Sequence, residues 1–104
     1  MNQKIFKEIQ QLKRQILPNE KVILFGSQAR GDTHDESDWD LLVLLNKEKR
    51  NFNDDYDKYS YPFAELGLKY NEFIEAKIYT VNEWIKRKST PFYKNIELDG
   101  IEIV

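Results

Sequence analysis

The sequence predicts a small α/β (α+β) sandwich in which a short sheet is backed by helices. Three observations carry this. An amphipathic stripe with helical spacing opens the chain, three short β-branched or aromatic runs follow, and capping and proline signals start further helices after them. At 104 residues the chain is expected to form one compact domain, residues 1–104, with little room for a second module that would recognise a large acceptor by itself.

The elements follow in order. Ile5, Phe6, Ile9, Leu12 and Ile16 recur every three or four positions, which draws one apolar stripe along a helix that Pro18 ends. Lys21 to Phe25 reads as a buried strand stopped by Gly26, with a short helical turn starting near Ser27. Ser37 to Leu45 is a second strand, with Asp38 and Asp40 on one face and Trp39, Leu41 and Val43 on the other. Asn46 to Asp55 reads as polar loop, and Tyr56 to Gly67 as a helix kinked or divided at Pro62. Phe73 to Thr80 alternates as a third strand, Ile74, Ala76 and Ile78 against the more polar Phe73, Glu75, Lys77 and Tyr79. Thr80-Val81-Asn82-Glu83 matches a capping box that places a helix over Trp84 and Ile85. Ser89-Thr90-Pro91 opens a last helix, which Gly100 is placed to close, and Ile101 to Val104 adds an edge strand or packs on the body. No repeat or flexible linker divides the chain.

Composition narrows the function classes. A content of 40% hydrophobic and 33% charged residues suits a domain that folds unaided. Sixteen basic against eighteen acidic residues, a net charge of −2, disfavour direct nucleic-acid binding driven by phosphate neutralisation, so small-molecule or protein ligands are expected. The absence of cysteine removes disulfides, thiolate metal sites and a Cys nucleophile, and makes the cytoplasm the simplest location. No apolar run approaches the roughly 20 residues of a membrane span, so neither secretion nor a membrane anchor is expected.

The segment that points to chemistry is Gly26-Ser27-Gln28-Ala29-Arg30-Gly31, followed by Ser37-Asp38-Trp39-Asp40-Leu41. Gly26 ends a strand without a side chain, so phosphate oxygens can approach the backbone, and Ser27 adds a hydroxyl where the next helix begins. Asp38 and Asp40, two apart on a strand, are placed to share divalent cations that bridge a triphosphate. Two such ions would neutralise the leaving pyrophosphate and activate an acceptor hydroxyl for in-line attack on the α-phosphorus. Gly26, Gly31 and Thr33 have the spacing of a Walker loop, but Asp32 stands where that loop needs lysine and would repel the phosphates. The closely spaced glycines of a dinucleotide-binding fold are also missing.

Phe25-Gly26-Ser27-Gln28-Ala29-Arg30-Gly31 with Ser37-Asp38-Trp39-Asp40-Leu41-Leu42-Val43 resembles the signature of the DNA polymerase beta-like nucleotidyltransferases, especially the minimal ones. The resemblance implies a mixed sheet with helices on one side, ATP or another triphosphate with Mg2+, and transfer of a nucleoside monophosphate, AMP from ATP, to a hydroxyl. It also implies a partner, because minimal members are often encoded beside a helical toxin of the HEPN ribonuclease type that some silence by adenylylating a tyrosine. A third carboxylate from a neighbouring strand belongs to the pattern. Glu75 is the candidate for catalysis and metal binding beside Asp38 and Asp40, although aspartate is usual there and Lys77 shares its face.

Each candidate has a plainer reading. The Gly26-Ser27 pair alone would be an ordinary capped turn, and the two aspartates a solvated edge face, yet they interrupt a strand otherwise made of Trp39 and Leu41 to Leu45. Arg30 either holds phosphate beside Gly26 and Ser27 or pairs with Asp32 or Asp35. Glu75 as a plain strand residue would pair with Lys77. His34 reads as a loop residue, and Phe63, Trp84, Phe92 and Tyr93 as core. The alternative at the level of function is a catalytically weak module of the same fold that neutralises a partner by occlusion. Transfer to a small hydroxylated molecule such as an aminoglycoside is a third option, which usually needs an additional helical domain.

Overall fold

The computed structural model describes residues 1–32 and 38–104. Helix α1 spans Gln3–Ile16 and buries Ile5 and Ile9, the centre of the apolar stripe. Its first turn is capped by Asn2, whose Oδ1 accepts from the backbone N–H of Lys4 at 3.0 Å and Ile5 at 3.2 Å. Strand β1 (Lys21–Phe25) follows the turn at Pro18, and the single-turn helix α2 (Ser27–Arg30) follows Gly26. Strand β2 is Trp39–Leu45, β3 is Ile74–Thr80 and β4 is Ile101–Ile103.

The sheet is mixed and ordered β3-β2-β1-β4. β1 pairs antiparallel with both β2 and β4, while β2 and β3 run parallel. The alternation read from the sequence sorts side chains onto two apolar faces. Val22, Leu24, Trp39, Leu41, Val43 and Ile74 meet α1 and Phe63 of α4 (Tyr61–Lys69) on one face. Ile23, Leu42 and Leu44 meet Trp84 of α5 (Val81–Ile85) and Ile96 of α6 (Pro91–Asp99) on the other. Helices therefore cover both faces, where the resemblance implied one. β2 is the reason: Leu42 and Leu44 are as buried as Leu41 and Val43, so each face needs a cover.

The capping box forms as read: Glu83 N–H donates to Thr80 Oγ1 at 3.1 Å, and Thr80 N–H donates to Glu83 Oε1 at 2.8 Å. Pro91 starts α6, and the tail is an edge strand on β1. Two segments differ from expectation. Within the stretch read as loop, Phe52–Asp55 form a helical turn, α3, because Asn51 Oδ1 caps Asp54 N–H at 3.3 Å and buried Asp55 accepts from Asn51 N–H at 2.8 Å and Lys47 Nζ at 2.6 Å. Before α4, Tyr56–Ser60 widen into a π-helical turn in which Tyr61 N–H donates to Tyr56 O. Pro62 has no N–H to continue an α-helical ladder, so the helix changes there as a widened turn, with Pro62 harmless in the first turn of α4.

The outer edge of β3 is partly closed by side chains. Ser60 Oγ donates to Ala76 O at 2.8 Å, and Arg50 Nη1 donates to Ile78 O at 2.7 Å.

Candidate active site

The candidate site is built where β1 ends and β2 and β3 begin. Gly26 takes φ 76° and ψ −158°, a conformation open essentially to glycine alone. Its carbonyl accepts from the N–H of Ala29 and Arg30, both at 3.1 Å, which folds Ser27–Arg30 into one turn that Gly31 closes in the left-handed region. The missing side chain matters as well as the backbone angle. A Cβ at Gly26 would lie 2.5 Å from Asp40 Oδ2, so any side chain there would have to push the carboxylate aside. Ser27, half-buried, opens α2 beside them.

Strand pairing fixes Asp40 from two sides. It is the register partner of Phe25 on β1, immediately before Gly26, and of Glu75 on β3. Because paired residues of neighbouring strands project to the same face, Glu75 stands beside Asp40. Asp38 lies just before β2 and is exposed, and Trp39 between them is 1% exposed, its indole anchored in the core that α1 covers. Burial of the Trp39 face holds the start of β2 so that Asp40 emerges opposite. Burial, then the charges of Asp38 and Glu75, push the Asp40 carboxyl above its ordinary range, while Lys77 and Arg30 act the other way. Three carboxylates thus share one electrostatic neighbourhood.

Arg30 and Lys77 are the cations of the site. Arg30 Nε donates to Asp32 Oδ2 at 3.3 Å, the bracing arrangement, with its side chain still half exposed. Lys77 Nζ lies 3.7 Å from Glu75 Oε1, so the third carboxylate carries an ammonium as its neighbour. Asp35 and His34 lie outside the described residues, as does Ser37. Among the described residues no group of three or more His, Cys, Asp or Glu side chains encloses a metal position. The donors nevertheless suit a hard cation: they are all carboxylate oxygens, and burial, then repulsion from Asp38 and Glu75, make the charged form of Asp40 costly, a cost a cation would offset. Mg2+ is commonly held by one or two carboxylates together with substrate phosphates, which is a donor set an apo protein shows only in part.

One feature escaped the sequence reading. A cleft of about 710 Å3 lies along the outer edge of β3, its lining including Glu75, Lys77, Phe73, Phe52, Tyr56 and Leu68. Phe52 lies in the stretch that reads as polar loop and Phe73 directly precedes β3, one residue outside it; their only signal is that both are large apolar residues beside segment ends. Phe63 and Trp84 are buried and Phe92 and Tyr93 pack on the second core, as expected for core aromatics. No described helix is long and apolar enough to cross a membrane.

The family model described as a nucleotidyltransferase domain matches residues 3–101. A Methanocaldococcus jannaschii protein named "putative protein adenylyltransferase MJ0141" is 37% identical over 89 residues, covering 81% of this chain and 78% of its own length. A second protein of that organism, "putative protein adenylyltransferase MJ0604", is 34% identical over 80 residues, covering 77% and 73% respectively. A crystal structure of a toxin–antitoxin with AMP-PNP superposes with a TM-score of 0.65 at 21% identity, covering all (100%) of this chain and 73% of that one, which shows a shared fold.

Proposed function

Because this chain belongs to the nucleotidyltransferase domain family, we propose that it transfers AMP from ATP to a hydroxyl group of a partner protein in the cytoplasm. The observation that carries the reading is the position of Asp40, paired in register with Glu75 on one side and packed against Gly26 on the other. The names of the two archaeal relatives support a protein acceptor, and the AMP-PNP in the toxin–antitoxin neighbour supports a triphosphate donor and a toxin as partner. A helical HEPN-type toxin is the partner the motif resemblance favours.

In this reading Gly26 and Ser27 receive the triphosphate: the absent Cβ lets oxygens approach the backbone, and the hydroxyl donates to them. Asp38, Asp40 and Glu75 would hold the magnesium ions, two being expected, and Arg30 would contact phosphate by exchanging Asp32 for it. The bound metal would supply charge neutralisation on the phosphates and a lowered pKa of the acceptor hydroxyl. The acceptor oxygen forms a bond to the α-phosphorus as the bond from that phosphorus to pyrophosphate breaks, and the hydroxyl proton passes to a carboxylate of the set. Pyrophosphate leaves on the Gly26 side. The protein's own contribution is positioning and fixed charge.

The test is incubation of the protein with labelled ATP, Mg2+ and the product of the adjacent gene. Label should appear on that product, and absence of transfer beside an active control overturns the proposal. A second reading, neutralisation of a partner by occlusion alone, is favoured by one observation, the Lys77 ammonium beside Glu75. Full neutralisation by a protein carrying both Asp38→Asn and Asp40→Asn would establish it.

A further inference from the structure

The carboxylates stand between two different surroundings. The Gly26-Ser27 turn follows β1 on one side of Asp40, and Glu75 on β3 lies on the other. In-line displacement requires the incoming oxygen to approach opposite the leaving pyrophosphate. With the triphosphate on the turn, the acceptor therefore arrives from the β3 side, where the 710 Å3 cleft begins at Glu75. We propose that this cleft is the acceptor-binding site, and that it holds an apolar segment of the partner protein whose hydroxyl-bearing residue reaches Glu75. The inference rests on the transferase reading above and adds where and how the protein acceptor is held.

Three features specify the occupant. The cleft is far larger than a phosphate needs and lies in the range of about 300–1,000 Å3 typical of sites for organic groups. Its lining includes Phe52 and Leu68, 77% and 76% exposed, together with the exposed rings of Phe73 and Tyr56. Large apolar side chains left open in one cleft call for apolar side chains opposite. The occupant is not an added strand, because the outward carbonyls of Ala76 and Ile78 already accept from Ser60 and Arg50. Recognition therefore runs through side chains, with aliphatic or aromatic residues flanking the acceptor hydroxyl.

The experiment measures transfer of labelled AMP to the adjacent gene's product by the wild-type protein, by Phe52→Ser with Leu68→Ser, and by Leu98→Ser, a control that is 82% exposed and outside the cleft. The double variant should raise KM for the protein acceptor about tenfold or more, with kcat within about twofold and with AMP-PNP affinity in Mg2+ unchanged, which also certifies its fold. Leu98→Ser should leave KM unchanged. An unaltered acceptor KM in the double variant, or an equal rise in the control, overturns the cleft assignment while the transferase reading stands. No labelling by the wild-type protein overturns both.

Discussion

Gly26 and Asp40 sit so close that a methyl group on the glycine would have to displace the carboxylate: its Cβ would lie 2.5 Å from the aspartate Oδ2, and the glycine's φ of 76° already disfavours any side chain. Gly26→Ala is therefore expected to cost about 1–3 kcal/mol of stability, measured by denaturant unfolding. It should also lower transfer by displacing Asp40, so an alanine variant with wild-type stability and activity would remove the close approach from the account.

The carboxylates make a sharper activity prediction. Asp38→Asn and Asp40→Asn are each expected to reduce nucleotidyl transfer by about a hundredfold or more, while keeping secondary structure, because neither belongs to the buried set of β2. Single-turnover transfer with labelled ATP and circular dichroism check the two halves of the statement.

A pH dependence follows from the environment of Asp40. Burial first, then Asp38 and Glu75, raise its folded pKa above the ordinary aspartate value. The folded state thus binds the proton more tightly than the unfolded chain, and the stability this adds is present in acid and lost as pH rises through the carboxylate range. Asp40→Asn should accordingly have a higher Tm than wild type at neutral pH, with the gap closing on acidification below that range. Mg2+ should raise the wild-type Tm at neutral pH more than that of the variant. Thermal melts across pH with and without magnesium test both.

Lys77 competes for the third carboxylate, lying 3.7 Å from Glu75 Oε1 with both side chains about half exposed. Lys77→Gln should tighten Mg2+ binding a few-fold in the absence of nucleotide, on the order of 1 kcal/mol or less for so exposed a pair. Calorimetric titration decides, and weaker binding would mean that the ammonium supports the site.

At the helix entry after β3, Thr80 is fully buried and its Oγ1 accepts from Glu83 N–H at 3.1 Å. Thr80→Ala should cost about 1 kcal/mol, and Thr80→Ser much less, as read from urea midpoints.

What the sequence disclosed was the structure that local chemistry dictates. The stripe from Ile5 to Ile16, the alternation in β3 and the Thr80 capping box each announce their element through spacing alone, and the mixed sheet came with the Gly26 to Asp40 motif. The motif also led to Glu75, whose register with Asp40 depends on two strands more than thirty residues apart, roughly the separation only a fold-level expectation can bridge. Features set by tertiary packing were less visible. The helical turn Phe52–Asp55 depends on a carboxylate whose partner, Lys47, precedes it by a full loop, and the second helix layer depends on how deeply Leu42 and Leu44 are buried. The β3 cleft was hidden for the same reason, since its wall is assembled from segments that periodicity treats separately.

The widened turn at Tyr56–Ser60 sets the rotational phase of everything after it. At roughly 100° per residue, an uninterrupted α-helix would leave Phe63 about 80° around the axis from Asp55, whereas absorbing one extra residue brings the two to within about 20°. Both are buried, at 0% and 2% exposure, so the extra residue lets one continuous coil turn an anchored carboxylate and a core aromatic inward together. Removing one residue from the widened turn would leave a plain α-helix with that same phase, whereas closing the turn to α-helical geometry at its present length would swing one of them toward water, even though most side chains of the segment lie at the surface.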